Sequence, residues 1–235
     1  MDQADFIKLI KAHAPAIRPV VPFKPNKDTL LDMDFTAANK ALTDELLGNR
    51  ESFTAYISSS IKRAGARYGI GGYGEHRTVY RISPVFDGAD GKQEARRLHL
   101  GTDIWGAAGT ELMTPLDARV HSFAFNDQPG DYGATIILKH ELEGFSFYTL
   151  YGHLALKSIQ DCKEGVYLPA GSVFAETGDW EENGGWPPHL HFQLILDIGS
   201  WKGDYPGVCP YSEKEKWLAN SPDPDLLLQL NQFIP

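Results

Sequence analysis

The first 80 residues carry apolar positions at helical spacing. Apolar side chains recur three and four residues apart in three segments, and this periodicity predicts helices over about 6–14, 36–47 and 53–68. Residues that break helices mark their predicted ends: Pro15, Gly48 and the glycine-rich run 69–72. The N-terminal part of the chain is therefore predicted to be helical.

From about residue 79 to 197 the apolar positions alternate with polar ones, and β-branched and aromatic residues are frequent. The segments that read as strands are 118–125, 134–142, 145–154, 172–175 and 189–197. Glu143-Gly144 between two of them is typical of a tight hairpin turn. Many short strands with no helix between them predict a mainly-β fold, an antiparallel sandwich or barrel.

These patterns divide the chain into three parts. We expect a helical N-terminal region over 1–80, a β domain over 81–200 and a C-terminal tail with short helices over 201–235. No internal repeat is visible.

Charge and composition narrow the class of protein. The 235 residues carry a formal net charge of -9, which argues against a nucleic-acid partner and weakly against an anionic membrane surface. Acidic and basic residues interrupt the N-terminal segment, so it does not read as a secretory signal, and no apolar run approaches bilayer length. The prediction is a cytoplasmic protein, or a periplasmic or secreted one if a leader has been removed. The oligomeric state is left open.

Two histidines open the last predicted strand. Side chains alternate along a strand, so His189 and His191 share one face, roughly 6–7 Å apart. One could bind a metal while the other reaches a water or a substrate on it. A His-x-His pair alone is often incidental.

A second candidate pair is His99 and Asp103. In an extended strand these residues would lie roughly 13 Å apart, too far to share an ion. Gly101 between them can adopt the backbone angles of a bend that brings them together. Imidazole and carboxylate suit Zn²⁺, and three protein ligands would leave a fourth position for water.

The other histidines give weaker signals. His153 ends a hairpin strand, where a lone histidine is usually structural. Four more are assigned no chemistry, and the best candidate among them for a supporting hydrogen bond is His140. The two cysteines are widely spaced and are interpreted as free thiols: Cys162 and Cys209.

In combination the motifs are more specific than they are singly. The order His-x-x-x-Asp, Gly-His-Leu, His-Leu-His-Phe over about 96–197 resembles the lysostaphin-type (LytM-like, β-lytic) zinc metalloendopeptidases. The surrounding residues are similar too, in the segments 102–105, 109–110, 115–118, 148–154 and 188–192.

The resemblance implies a duplicated-hybrid-motif fold and a zinc peptidase. It assigns one Zn²⁺ per chain to His99, Asp103 and His191, and it places His153 and His189 beside the metal as catalytic residues. His189 is our choice for the general base, and His153 would stabilise the oxyanion or share the proton transfer. The implied partner is a peptide with small residues at the cleaved bond, Gly-Gly or D-Ala-containing as in peptidoglycan.

The sequence also departs from the usual family pattern. Gln193 follows the His-Leu-His-Phe motif where the family often has Glu, and the loop Asn183-Gly-Gly-Trp-Pro-Pro188 is bulkier than usual. This loop is similar to that of intracellular members. Trp186 within it is expected to border the substrate channel, or else to pack against the N-terminal helices.

Two other functions are open. A scaffold of the same fold, with or without zinc, could regulate another hydrolase, although such relatives lose ligands. A phosphocarrier with two facing histidines would need neither Asp103 nor the His-x-His strand. The N-terminal region could be a structural cover or could hold the enzyme latent, with Asn39 as one residue able to reach the metal.

Overall fold

The computed structural model describes residues 2–87 and 93–235. Six α-helices lie in the described chain: α1 Gln3–Ala12, α2 Asp44–Gly48, α3 Arg50–Ala64, α4 Lys157–Gln160, α5 Lys214–Asn220 and α6 Asp225–Leu228. Short 3₁₀ turns connect or extend them: Ala14–Ala16, Val79–Ile82, Pro84–Phe86, Tyr211–Glu213 and Asn231–Phe233.

Strands form most of the regular structure between these helices. The first six are β1 Leu30–Asp32, β2 Tyr68–Gly71, β3 Arg96–His99, β4 Thr102–Trp105, β5 Glu111–Met113 and β6 Ala118–Asn126. The next six are β7 Gly133–Leu142, β8 Phe145–Leu154, β9 Tyr167–Leu168, β10 Val173–Glu176, β11 His189–Ile195 and β12 Val208–Pro210. The predicted mainly-β fold is confirmed.

Eight strands form one sheet in the order β1-β2-β4-β11-β8-β7-β6-β9. Its pairs are antiparallel except for β1 and β2, which are parallel. Two small antiparallel sheets, β10-β5 and β12-β3, flank it. The predicted hairpin turn is present between β7 and β8, where Glu143 and Gly144 both have positive φ, as a tight primed turn requires.

The N-terminal region differs from the prediction in two places. Residues 36–43 form turns, so the predicted second helix is reduced to α2. The third helix ends at Ala64, where Gly65 adopts the left-handed conformation. The glycine-rich run that was predicted to end the helix instead forms β2, which joins β4 in the large sheet.

The two faces of the large sheet pack differently. On one face, alternate side chains of β11, such as Leu190 and Phe192, join a core that also includes Phe6 of α1 and Leu227 of α6. On the other face, a second core between the sheet and α2 and α3 includes Trp105 and Trp186. His189 and His191 project to this second face, so both histidines are enclosed by protein.

The lengths of the helices can be compared with the length that a membrane span requires. The longest described helix, α3, has 15 residues, which is fewer than the roughly 20 needed to cross a bilayer. Within 2–87 and 93–235 no helix is long and apolar enough for a membrane span.

Candidate metal centre

Three strands of the large sheet bring four of the five sequence-predicted residues together on one face. The antiparallel register places His191 of β11 opposite Asp103 of β4 on one side and opposite Gly152 of β8 on the other. His153 follows Gly152, and His189 lies opposite Trp105. His99 reaches the same place from the end of β3, which belongs to a different sheet.

Three donor atoms form a small triangle at this place. His99 Nε2 lies 2.9 Å from His191 Nδ1, and Asp103 Oδ1 lies 3.3 Å from the first and 3.2 Å from the second. All three side chains are buried, at 1–3% exposure. Tetrahedral zinc at the usual ligand distances would hold its donors about 3.3 Å apart, so the triangle has the right size for this ion.

The hydrogen bonds of the two histidines in the triangle determine which ring nitrogen carries the hydrogen. His99 Nδ1 lies 3.0 Å from the carbonyl oxygen of Gly72 and must donate to it, which leaves a lone pair on Nε2. His191 Nε2 lies 3.0 Å from Gln193 Oε1, which leaves a lone pair on Nδ1. The side-chain amide of Gln193 is oriented by donating to Pro206 O and Ser221 Oγ.

These positions of the ring hydrogens show whether a metal fits among the three side chains. In these tautomers the contact between His99 Nε2 and His191 Nδ1 joins two lone pairs, and a carboxylate oxygen completes the triangle. Three acceptors at such distances repel one another unless a cation lies among them. The donor set of two imidazoles and one carboxylate therefore fits Zn²⁺.

His153 and His189 lie beside the triangle with their rings 4.2 Å apart. His153 Nδ1 donates to Asn183 O at 2.7 Å, and His189 Nδ1 donates to Pro187 O at 2.8 Å. In both residues Nε2 is thus the basic nitrogen, and that of His189 lies 3.9 Å from Asp103 Oδ1. Each ring can accept a proton at Nε2.

The surroundings of these two rings are specialised. Trp105 stacks on His189 with ring centroids 3.9 Å apart and an interplanar angle of 17°. His153 has φ 62°, in the left-handed region that a non-glycine residue occupies at a cost of about 1–3 kcal/mol. Such strain is often found at functional sites.

Burial keeps His99, His153 and His189 neutral. It lowers the pKa of His99 to about 3 and that of His189 to about 4, and it holds the pKa of His153 well below its ordinary value. Burial alone would raise the pKa of Asp103, but the neighbouring His99 and Arg77 outweigh it and hold that pKa well below the usual range. A neutral imidazole and an ionised carboxylate are the forms that bind metal.

The sequence did not predict two structural roles at this site. Arg77 is only 2% exposed, and its Nη1 donates to Asp103 Oδ2 at 2.5 Å. The glycine run was interpreted only as a helix end, yet the carbonyl of Gly72 accepts from His99 and that of Gly71 accepts from Arg77. An isolated arginine and a glycine run in a sequence give no signal for such contacts.

Gly101 is required for a reason other than the one predicted. It does not have a positive φ, so the bend between β3 and β4 needs no special backbone angle. A Cβ at this position would instead lie 2.6 Å from Cε1 of His191. Gly101 provides space for the ring of His191.

A cleft of about 170 Å³ opens in front of the site. Aromatic side chains line much of its wall: Tyr80, Phe86, Tyr132, Trp186, Trp201 and Tyr205. Trp186 is 5% exposed and lines the cleft, which is one of the two positions that the sequence left open. Its ring also lies 6.2 Å from that of Tyr80 and 6.4 Å from that of Phe86 in the second core. Asn39 donates to Asp34 O and to Tyr56 OH, so its amide is used within the N-terminal region.

Comparison with known proteins bears on this site. Residues 97–201 match the model of peptidase family M23. Among solved structures the chain is similar to a protein assigned to peptidase M23 from Pseudomonas aeruginosa, with 19% identity, a TM-score of 0.37 and coverage of 56% of this chain and 44% of that one. It is also similar to the catalytic domain of the antimicrobial peptidase lysostaphin from Staphylococcus simulans, with 21% identity, a TM-score of 0.40 and coverage of 63% and 92%.

A third similar structure is a zinc-containing peptidase from Vibrio cholerae, with 22% identity, a TM-score of 0.34 and coverage of 48% and 31%. No curated protein matches the sequence. The matched segment 97–201 contains the metal triangle and both neighbouring histidines. The resemblance of the motifs to the lysostaphin-type peptidases is thus confirmed over residues 97–201, the segment that matches peptidase family M23.

Proposed function

We propose that this protein is a zinc-dependent endopeptidase that hydrolyses peptide bonds between small residues. The observation that carries the proposal is the triangle of three lone-pair donors, with the basic nitrogens of two further histidines beside it. One Zn²⁺ would be held by His99, Asp103 and His191. When bound, zinc polarises a carbonyl and lowers the pKa of a bound water from 15.7 to about 7.

Two histidines of the chain would carry out the proton transfer. His189 accepts a proton at Nε2, and its ring is fixed for this by Pro187 O and the face of Trp105. Neutral His153 also presents only an acceptor at Nε2, because its Nδ1 hydrogen is used by Asn183 O. His153 can therefore stabilise a developing oxyanion only while it carries an additional proton, which makes it the partner of His189 in a shared proton transfer.

The cleft supports a slender peptide as the substrate. Aromatic rings line the space near the metal triangle, and Trp186 lies 6.4 Å from His153, centroid to centroid. Residues with little or no side chain beside the scissile bond fit such a space. Gly-Gly and D-Ala-containing peptides of the peptidoglycan type are our substrate class. We propose neither a nucleic acid nor a membrane as partner.

The test measures both the zinc content of the protein and its cleavage of peptides. Protein purified without chelator should contain about one zinc, and it should cleave pentaglycine or a D-Ala-containing peptide. His99→Ala, Asp103→Ala and His191→Ala should each abolish zinc binding and cleavage. If no transition metal is bound even after zinc is added, the proposal is wrong. Zinc without cleavage of any peptide in the panel would favour a regulatory scaffold instead.

A further inference from the structure

Arg77 lies outside the segment that matches the family model, yet it contacts a residue of the metal triangle. Asp103 directs Oδ1 towards His99 and His191, and its other oxygen, Oδ2, accepts from Arg77 Nη1. The guanidinium thus occupies the side of the carboxylate that faces away from the triangle. A carboxylate held in this way cannot rotate without losing a charge-assisted hydrogen bond.

Arg77 is itself fixed on every side. Its Nε donates to Glu75 Oε2 at 2.7 Å, its Nη1 lies 3.2 Å from Tyr80 OH, and its Nη2 donates to Gly71 O at 3.3 Å. A Cβ on Gly72 would lie 1.8 Å from Nη2, so the backbone passes against the guanidinium. A side chain with this many contacts has a single position.

The network extends to the N-terminal part of the chain. The guanidinium carbon of Arg77 lies 5.1 Å from the ring centroid of Phe35, and Glu75 Oε1 accepts from the backbone N–H of Phe35 at 3.0 Å. The two contacts join the segment after β1 to a residue of the metal triangle through Arg77 and Glu75.

The charge of Arg77 is permanent in this place. Burial would lower the pKa of the guanidinium, but Tyr80, Asp103 and Glu75 around it outweigh burial and raise that pKa. The protein therefore keeps a cation beside a site that fits another cation. Repulsion between the two charges would weaken metal binding, whereas a preoriented carboxylate strengthens it.

We propose that Arg77 is a positioning residue that holds Asp103 in its metal-binding orientation, and that this effect outweighs the repulsion between the guanidinium and the metal. The inference rests on the proposed zinc site. Removing a residue that supports a ligand in this way commonly weakens metal binding by about 10–100-fold. A residue that only stabilised the fold would leave zinc affinity of the folded protein unchanged.

The experiment measures zinc affinity of the full chain by competition with a chelating indicator. Arg77→Gln should bind zinc about 10–100-fold more weakly than the parent. Arg77→Lys, which keeps the charge but not the planar fork, should lose less. Arg119→Gln is the control, because Arg119 is an exposed arginine of β6 that donates to Gly165 O, and it should bind as the parent does.

A second measurement separates positioning from general support of the fold. Cobalt substituted for zinc should show a changed visible spectrum in Arg77→Gln and an unchanged one in Arg119→Gln.

The outcomes are distinct. Parental zinc affinity and an unchanged cobalt spectrum in folded Arg77→Gln would overturn the inference and leave the zinc site intact. If circular dichroism in chelator shows that neither Arg77 variant folds, Arg77 serves the fold and the inference is equally overturned. Absence of zinc binding by the parent protein would instead overturn the proposed function.

Discussion

At the scale of single residues, the two histidines beside the triangle should be separable from its ligands. His153→Ala and His189→Ala should each retain zinc and lower turnover by about 10²–10⁴-fold, the usual contribution of a positioned proton-transfer group. Both residues present a basic Nε2 without being among the three donors. Steady-state kinetics measures the turnover of each variant, and metal analysis measures the zinc that it retains.

The matched control is His121→Ala, since His121 bonds to Ser122 on β6 away from the cleft, and its turnover should be parental. Full activity in either site variant would remove that histidine from the mechanism. Loss of zinc would make it a ligand.

Gly101 gives a second prediction at this scale. Gly101→Ala should weaken zinc binding, because the added Cβ would lie 2.6 Å from His191 Cε1 and 2.8 Å from Phe192 O, and the ligand ring must move. Overpacking of this kind typically costs about 1–3 kcal/mol in the free energy of unfolding. Zinc titration and urea unfolding measure the two effects.

Gly48→Ala serves as the comparison, because a Cβ there has no atom within 4 Å. Equal zinc affinity in both alanine variants would show that His191 accommodates the methyl group, contrary to the prediction.

At the scale of elements, the loop before β11 joins the cleft to the second core. Asn183 is fully buried, its side chain accepts from Gly185 N and Trp186 N, and its carbonyl orients His153. Trp186 contacts the core on one side and lines the cleft on the other. One loop therefore determines both the orientation of His153 and the width of the cleft.

Trp186→Ala should accordingly have two effects. Loss of the buried ring should lower the free energy of unfolding by about 3–5 kcal/mol. The wider cleft should also reduce the preference for Gly-Gly over bulkier peptides, measured as the ratio of kcat/KM values. Trp186→Phe keeps an aromatic ring in the core and should retain most of the stability. Reduced stability with an unchanged ratio would mean that Trp186 acts only in the core.

Elements were predictable where side chains alternate. The strands β7, β8 and β11 follow the predicted segments closely because each has one set of residues for each face. β2 was missed because Tyr-Gly-Ile-Gly has too few side chains to show a period. Arg77 was missed because its burial depends on Glu75 and Asp103, partners that only the folded chain brings to it.

At the scale of the whole molecule, acid should destabilise the protein through buried histidines as well as through carboxylates. His140 is 1% exposed and lies away from the cleft, where Nδ1 donates to Asp117 O and Nε2 accepts from Thr149 Oγ1. Burial lowers its pKa from 6.5 to about 4. Between these values the unfolded chain binds a proton that the folded chain does not, so stability falls as the pH drops from 6.5 towards 4 and is unaffected above.

The gap of about 2.5 pH units corresponds to about 3 kcal/mol from this one residue. We expect His140→Asn to reduce the loss of unfolding free energy between pH 7 and pH 4 by about this amount, measured by urea unfolding in chelator. Parallel pH profiles for variant and parent would contradict the assignment.

The distance along the chain between the ligands has a consequence for biosynthesis. His99 and His191 lie 92 positions apart, and Asp103 is separated from His191 by nearly as many. A nascent chain that ends before Pro187 holds two of the three donors and lacks the strand that places His189. Such a chain lacks the complete triangle. The complete triangle can therefore form only in molecules whose synthesis has passed residue 191, and a shorter growing polypeptide cannot hold a metal with all three side chains.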